Sequence, residues 1–364
     1  MVNQAPFEFD EEIDFEIISY SLNFLKPART SRDVLTKRSI FFVKIFYKNQ
    51  PNLYGIGECA PIYGLSPEKE DAVKALLTDA LNRIKRDKLF VPKSINLPAI
   101  RFSIETAVFD LINNGKRLLF GEMQKNTRFP INGLVWMNQF ETMLEEAIQK
   151  VESGYKVIKL KIGGIDFDDE IRILGSLRDR FGNKIIIRLD ANGGFSNEEA
   201  ISKLNQLAKF DIHSIEQPIR AGQWNEMRSL CSKSPIPIAL DEELIGIEDT
   251  QLKLELIKTI QPQFIVLKPT LHGGFSGCDE WIEIADNQGL NWWATSALES
   301  NIGLNAIAQW LTTKNVQLEQ GLGTGSLYLN NLSPAWVVNN GYLEFDGLEF
   351  DGLDSLSHDI SNLR

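Results

Sequence analysis

Five charged side chains each close a short apolar run, and the runs recur at the spacing of one strand plus one helix. Lys161 ends YKVIKLK, Asp190 ends KIIIRLD, Glu216 ends IHSIE, Asp241 ends IPIALD and Lys268 ends FIVLK. The intervals between them are 29, 26, 25 and 27 residues, enough for a crossover helix and two loops. If the strands are parallel, all five charges arrive at one rim. In a β/α barrel that rim, at the C-terminal ends of the strands, carries the active site.

The same grammar runs through the remainder of the chain after about residue 131. INGLVW reads as a strand, and QFETMLEEAIQKVES has apolar residues at helical spacing. YKVIKLKI and the helix-like FDDEIRILGSLRDRF make the next unit, and KIIIRLDA is β-rich, as a strand buried on both faces should be. Ser196 followed by Glu199 is a capping box, opening a helix whose Ile201, Leu204, Leu207 and Ala208 share one face. Further helices are expected at about 223–233, 249–260 and 277–288, and NIGLNAIAQWLTTK follows the seventh strand, NWWATSA. Seven or eight such units point to an α/β protein with a closed, TIM-like barrel over 126–330. An open doubly wound sheet is the alternative, but it usually carries a glycine-rich phosphate loop, and no G-x-G-x-x-G occurs between 131 and 162.

Residues 1–125 read differently. RSIFFVKIFYKN and LYGIGECAP alternate as antiparallel strands do, and PEKEDAVKALLTDALNRI and AIRFSIETAVFDLINNGK read as helices, giving a small α+β domain. The C-terminal segment, 331–364, repeats EFDGL and is expected to form a hairpin packing back on that domain.

A chain of 364 residues is long enough for a barrel with something attached. A formal net charge of -11 disfavours nucleic acid as a partner, because phosphate binding needs clustered Lys and Arg. Cys59, Cys231 and Cys278 are odd in number and widely spaced, which fits a reducing cytoplasm and buried small side chains better than a disulfide framework. MVNQAPFEFDEEIDF is acidic and interrupted, unlike a signal or transit peptide, and no run of 18 apolar residues offers a membrane span. A cytoplasmic protein acting on a small molecule, without membrane or nucleic acid, is the expectation.

Asp190, Glu216 and Asp241 come from successive strand ends. Three such carboxylates are hard oxygen ligands, suited to Mg²⁺ or Mn²⁺ rather than zinc. Lys159 and Lys161 are two apart in a strand and point to the same face, so both can look into the barrel mouth opposite Lys268. A lysine beside a divalent cation and a second lysine has its charged form disfavoured, which makes it usable as a general base. A cation held by three carboxylates, flanked by lysines, is suited to removing a proton alpha to a carboxylate, since positive charge stabilises the enediolate that results.

KLK, RLDANGG, IEQP, ALDEE and VLKP, in this order and spacing, resemble the signature segments of the enolase superfamily in its muconate lactonizing enzyme subgroup. The resemblance covers most of the chain and implies a (β/α)7β barrel with a capping domain built from both ends of the sequence. It implies that Asp190, Glu216 and Asp241 bind Mg²⁺ and that Lys161 and Lys268 flank a carboxylate substrate. SALESNIGL, 296–304, is similar to the corresponding segment of the o-succinylbenzoate synthases, which dehydrate a succinyl-hydroxycyclohexadiene carboxylate in menaquinone synthesis. By that resemblance Lys161 abstracts the proton and Lys268 stabilises the enediolate. Racemisation of N-acylamino acids, dipeptide epimerisation and cycloisomerisation remain the alternatives, as does a catalytically silent barrel. Dipeptide epimerases typically show Asp-x-Asp here, where this chain offers Glu299.

Lys159, Ser296, Glu299 and Gly323 are the candidate substrate contacts, Gly323 through the glycine-rich GLGTGSLYLNN whose amides could hold a carboxylate. Asn192 and Glu242, adjacent to the carboxylates, are expected to orient Asp241 and Lys159. His272 reads as a plain loop residue. KPARTSRDVLTKR, 26–38, is basic against an acidic background and reads as a mobile loop able to close over the substrate.

Overall fold

The computed structural model describes residues 5–29 and 34–347. The first third contains β1 (Phe7–Glu8), β2 (Ile13–Arg29), β3 (Val34–Tyr47), β4 (Tyr54–Cys59), α1 (Val73–Asp87), β5 (Leu89–Phe90) and α2 (Pro98–Ile112). Strands β2, β3 and β4 form an antiparallel meander, and β1 pairs with β5. Successive residues of β3 point to opposite faces, and both faces are used. Val43 and Ile45 enter a core with residues of α1 and α2, while Ile40 and Phe42 enter a second cluster shared with Leu298, Ile302 and Tyr328. The small domain is therefore a cap built onto the larger one.

Segment 26–38 differs from the loop expected of it. Ala28 pairs with Leu35 and Arg29 with Val34, so the long hairpin runs almost to its tip, beyond a register shift between Asn23 and Ala28. Residues 30–33 lie outside the described residues.

Strand β4 lies very close to α2, and glycine makes that possible. A Cβ on Gly57 would sit 1.8 Å from the Ser103 carbonyl oxygen, and one on Gly55 1.9 Å from that of Ala107. The clash is with helix backbone, which cannot rotate away. Gly57→Ala should therefore destabilise the protein by about 3 kcal/mol, at the upper end of overpacking costs. Urea melts check this, and an unchanged midpoint would contradict the close packing.

The remainder contains β6 (Arg128–Pro130), β7 (Gly133–Val135), α3 (Phe140–Glu152), β8 (Val157–Lys161), α4 (Phe167–Phe181), β9 (Ile186–Asp190), α5 (Asn197–Leu207), β10 (Ile212–Glu216), α6 (Trp224–Lys233), β11 (Ile238–Leu240), α7 (Thr250–Ile260), β12 (Phe264–Leu267), α8 (Gly274–Gln288), β13 (Asn291–Ala294) and α9 (Asn301–Thr312). Strands β7 to β13 lie side by side in chain order, each parallel to the next. Gln320 and Gly321 complete the ring: Gln320 bridges in parallel to Ile131, and Gly321 to Thr295. The Asn132 amide donates to the Gln320 carbonyl at 2.9 Å, and the Gly321 amide to that of Ala294 at 2.7 Å. The result is an α/β fold, a TIM-like (β/α)7β barrel with a capping domain. Helix α5 begins with the Ser196 and Glu199 capping box read from the sequence.

After the barrel closes, the chain crosses the cap before returning. The Leu25 amide donates to the Leu327 carbonyl at 2.8 Å and that of Leu329 to Asn23 at 2.9 Å, and Leu332 joins the cluster around Ile40. The following hairpin, β14 (Trp336–Asn339) and β15 (Tyr342–Phe345), was expected on the N-terminal domain but pairs with β6 instead. Trp336 finds its cover there, its ring 5.6 Å from that of Phe129 and its Nε1 donating to Asn305 Oδ1 at 3.0 Å. The second copy of EFDGL lies outside the described residues.

Two buried glutamates of the cap seat it on the first turns of barrel helices, where backbone amides lack partners within the helix. Glu58 accepts from the amides of Ser300 and Gly303, both at 2.8 Å, at the start of α9. Glu105 accepts from Phe275 at 2.6 Å and Ser276 at 3.2 Å in α8. Burial pushes Glu58 up to about 7, from an ordinary 4.5 that it regains on unfolding. The folded chain then holds a proton that the unfolded chain releases. The stability this confers is complete below 4.5 and is lost as the pH rises through about 7. Glu58→Gln should flatten the fall in Tm between about pH 5 and pH 8 relative to the wild type. Parallel melting curves for the two proteins would exclude Glu58 as a source of that fall. Among the described residues, no helix is long and apolar enough to cross a membrane.

Candidate functional site

Strand register assembles the site. Lys161 is paired with Asp190, and Asp190 with Glu216, across β8, β9 and β10. Asp241 and Lys268 each follow directly on β11 and β12. Ile158 and Leu160 of β8 pack into the main core, while Lys159 and Lys161, offset by one, meet the carboxylates inside the ring. All six side chains are buried, from 0% exposed for Asp190 and Asp241 to 9% for Lys268.

Every one of these charges is engaged. Lys161 Nζ lies 2.6 Å from Asp190 Oδ2, and Lys159 Nζ bridges Asp190 Oδ2 at 2.8 Å and Glu216 Oε2 at 2.5 Å. Lys268 Nζ donates to Asp241 Oδ2. Burial lowers Lys161 below its ordinary value, against the pull of Asp190 and with help from Lys159. Burial acts the same way on Lys268, but there Asp241 and Glu216 outweigh it and the ammonium is raised. Burial raises Glu216 well above the usual carboxylate range, and Asp190 and Asp241 add to it by repulsion.

Asn192 was expected to orient Lys159. The structure places its Oδ1 as acceptor from Lys161 Nζ at 2.8 Å, with its amide nitrogen Nδ2 donating to Glu242 Oε1 at 2.9 Å. Asn192 is held in the left-handed region, at φ 45, so its backbone turns back and its N–H reaches Asp190 Oδ1 at 3.1 Å.

Above the charges lies a cavity of about 260 Å³. Lys159, Lys161, Lys268 and Asn192 reach its wall, with Ser296, Gly321, Gly323 and Thr324. Leu35, Ile62, Leu65, Leu134, Trp136 and Leu298 supply apolar surface. Among the described residues, the wall includes three lysines and no carboxylate. Glu299, a candidate substrate contact, is not part of it. It is 0% exposed and accepts from Thr270 Oγ1, from Ser296 Oγ at 2.7 Å and from the Ala297 amide at 2.8 Å. Its side chain therefore braces the turn after β13, because the three donors it accepts from are buried and have no water to turn to.

Two residues overlooked in the sequence hold the same turn. Arg38 is buried and donates to the carbonyls of Ala60 at 2.7 Å, Pro61 at 3.0 Å and Ala297 at 3.1 Å, tying the cap to the barrel at the cavity's edge. Tyr328 donates to the Leu298 carbonyl at 2.7 Å. Leu298 has φ 64, an uncommon conformation for leucine that such contacts over-determine. Basic residues in 26–38 were visible in the sequence, but no local signal separates Arg38 from its neighbours. His272 is also misread as a plain loop residue. It is 1% exposed, accepts at Nδ1 from the Lys268 amide at 3.0 Å, and is pushed by burial down to about 3, which leaves the ring neutral.

The three carboxylates suit a hard divalent cation by donor type, and two of them have a buried oxygen, Glu216 Oε1 and Asp241 Oδ1, without a hydrogen-bond partner. The lysine ammoniums lie on neighbouring oxygens of the same groups, and among the described residues no group of three or more acidic, His or Cys side chains is already disposed around a metal position. The donor set fits a cation once the ammoniums give way.

Residues 142–347 match the family described as enolase C-terminal domain-like. The chain is 40% identical over 359 residues to an o-succinylbenzoate synthase of Desulfotalea psychrophila, an alignment covering 88% of this chain and 96% of that protein. The crystal structure of MenC from Desulfotalea psychrophila superposes with a TM-score of 0.77 at 36% identity, over 92% of this chain and 100% of that one. A dipeptide epimerase from Cytophaga hutchinsonii, crystallised with Mg and the dipeptide D-Ala-L-Val, shares the fold at a TM-score of 0.77 and 20% identity, over 95% and 97% of the two chains.

Proposed function

The chain belongs to the enolase superfamily, and from that premise we propose that it acts as an o-succinylbenzoate synthase. This lyase removes water from 2-succinyl-6-hydroxy-2,4-cyclohexadiene-1-carboxylate to give 2-succinylbenzoate, a step of menaquinone synthesis. The observation that carries the reading is the composition of the cavity wall. The cationic Lys159 and Lys268 suit an anionic substrate, the apolar residues suit its ring, and a peptide ammonium would find no acidic partner there.

In this reading Lys161, neutral, takes the proton from the carbon alpha to the ring carboxylate. The C–H electron pair passes into the carboxylate, giving an enediolate. Collapse of that pair expels the hydroxyl from the adjacent carbon on the same face, with Lys161 returning its proton to form water, and the ring becomes aromatic. Lys268 remains a cation beside the enediolate. Asn192 aims Lys161 through the 2.8 Å contact, and the turn held by Glu299, Arg38 and Tyr328 sets the wall against the succinyl arm. Asp190, Glu216 and Asp241 would hold Mg²⁺, which supplies positive charge against the second negative charge gathering on the substrate carboxylate.

The test is an absorbance assay of aromatisation with purified protein, cyclohexadiene substrate and Mg²⁺. Turnover is expected. No turnover, together with deuterium exchange into an N-succinylamino acid, would replace the dehydratase by a racemase.

A further inference from the structure

His272 has no part in the proton transfers, yet it is placed between the two halves of the site. The turn after β12 brings it back to its own strand end: the amides of Leu271 and His272 both donate to the Lys268 carbonyl, at 2.8 and 2.9 Å. An Nδ1 that accepts from the Lys268 amide carries no proton of its own, so the ring's proton belongs on Nε2. Nε2 faces Asp241 Oδ1 at 4.0 Å. Both atoms are buried, and neither has a hydrogen-bond partner. The separation is too long for a direct hydrogen bond. A donor and an acceptor left this way each carry a desolvation cost, which a closure of about 1 Å would relieve.

Asp241 Oδ2 is meanwhile engaged by Lys268. The two oxygens of this carboxylate are thus addressed from one five-residue turn, one by the lysine and the other by the imidazole. We propose that His272 is a positioning residue, whose Nε2–H orients Asp241 for cation binding and whose Nδ1 ties that orientation to the backbone of Lys268. The inference rests on the proposed function only in taking Asp241 as a cation ligand.

Long-range ¹H–¹⁵N spectra of histidine-labelled wild type, with His272→Asn to assign the signal, read the tautomer directly. An Nε2–H ring whose Nε2 shift moves on adding Mg²⁺ is expected. Manganese binding followed by electron paramagnetic resonance gives the second readout. His272→Phe, which fills the space without a donor, should bind Mn²⁺ about 10-fold to 100-fold more weakly, as loss of a ligand's supporting partner usually does. His272→Gln, which keeps a donor near the Nε2 position, should recover most of that loss. An Nδ1–H tautomer in the wild type overturns the proposal, and so does wild-type Mn²⁺ affinity in His272→Phe. If His272→Phe fails to fold, the wild-type spectrum decides alone. Neither measurement requires turnover, so a failed dehydration assay would count against the function and not against this inference.

Discussion

Lys161→Ala is expected to lower kcat by about 100-fold to 10,000-fold, the range that a positioned general base contributes. Its circular dichroism and melting temperature should stay close to those of the wild type. The expectation of an intact fold follows from the pairing: Asp190 loses Lys161 but keeps Lys159 at 2.8 Å, so no buried carboxylate is stranded. Lys161→Arg separates base from charge, because a guanidinium supplies positive charge but cannot take up a proton near neutral pH. Turnover of Lys161→Arg above about a tenth of wild type would show that the position needs only a cation, and the general-base role would then fail.

Chelation should be as damaging by a different route. Dialysis against EDTA is expected to reduce turnover by at least about 1,000-fold, since charge stabilisation worth several kcal/mol would be lost. Adding Mg²⁺ or Mn²⁺ should restore it. The structure also links the cation to stability. Glu216 is destabilised as a carboxylate by burial and by Asp190 and Asp241, and Glu216 Oε1 and Asp241 Oδ1 lack partners. A cation present at 100 times its Kd should therefore raise stability by about 2.7 kcal/mol, measurable as a rise in Tm. Undiminished turnover in protein shown by elemental analysis to be free of divalent metal would rule out the cation's role.

The barrel was legible in the sequence because its determinants are local and periodic. Each strand carries its own apolar run, each helix its own face, and Ser196 and Glu199 mark a helix start three residues apart. The same holds for the five charges at one rim, since position at a strand's end is a local property that the parallel register then aligns. Contacts between distant segments were not legible. Arg38 reaches Ala297 across 259 residues, and Glu58 reaches Ser300 across 242, with nothing in the neighbouring sequence to announce either. Glu299 was misassigned because an acid at a strand end reads the same whether it faces a cavity or braces a turn. The hairpin at β14 and β15 was recognised as a hairpin, but its partner β6 lies more than 200 residues away in the chain.

The manner in which the ring closes bears on how the chain reaches its native state. The eighth stave of the barrel is just Gln320 and Gly321, and the backbone leaves it to run beside β2 of the cap before doubling back to β6. Both residues are bonded on both sides, Gln320 to Pro130 and Asn132 and Gly321 to Ala294 and Ser296, so this short stave joins the two ends of the ring. Closure of the barrel therefore depends on pairing Gln320 with Pro130 and Asn132 from the far end of the ring, and the high sequence separation of these contacts predicts slow folding. The segment that follows the stave is bonded to the cap at Leu25 and Asn23, so a barrel expressed without its first 125 residues would keep its seam but lose the two contacts that hold this segment down.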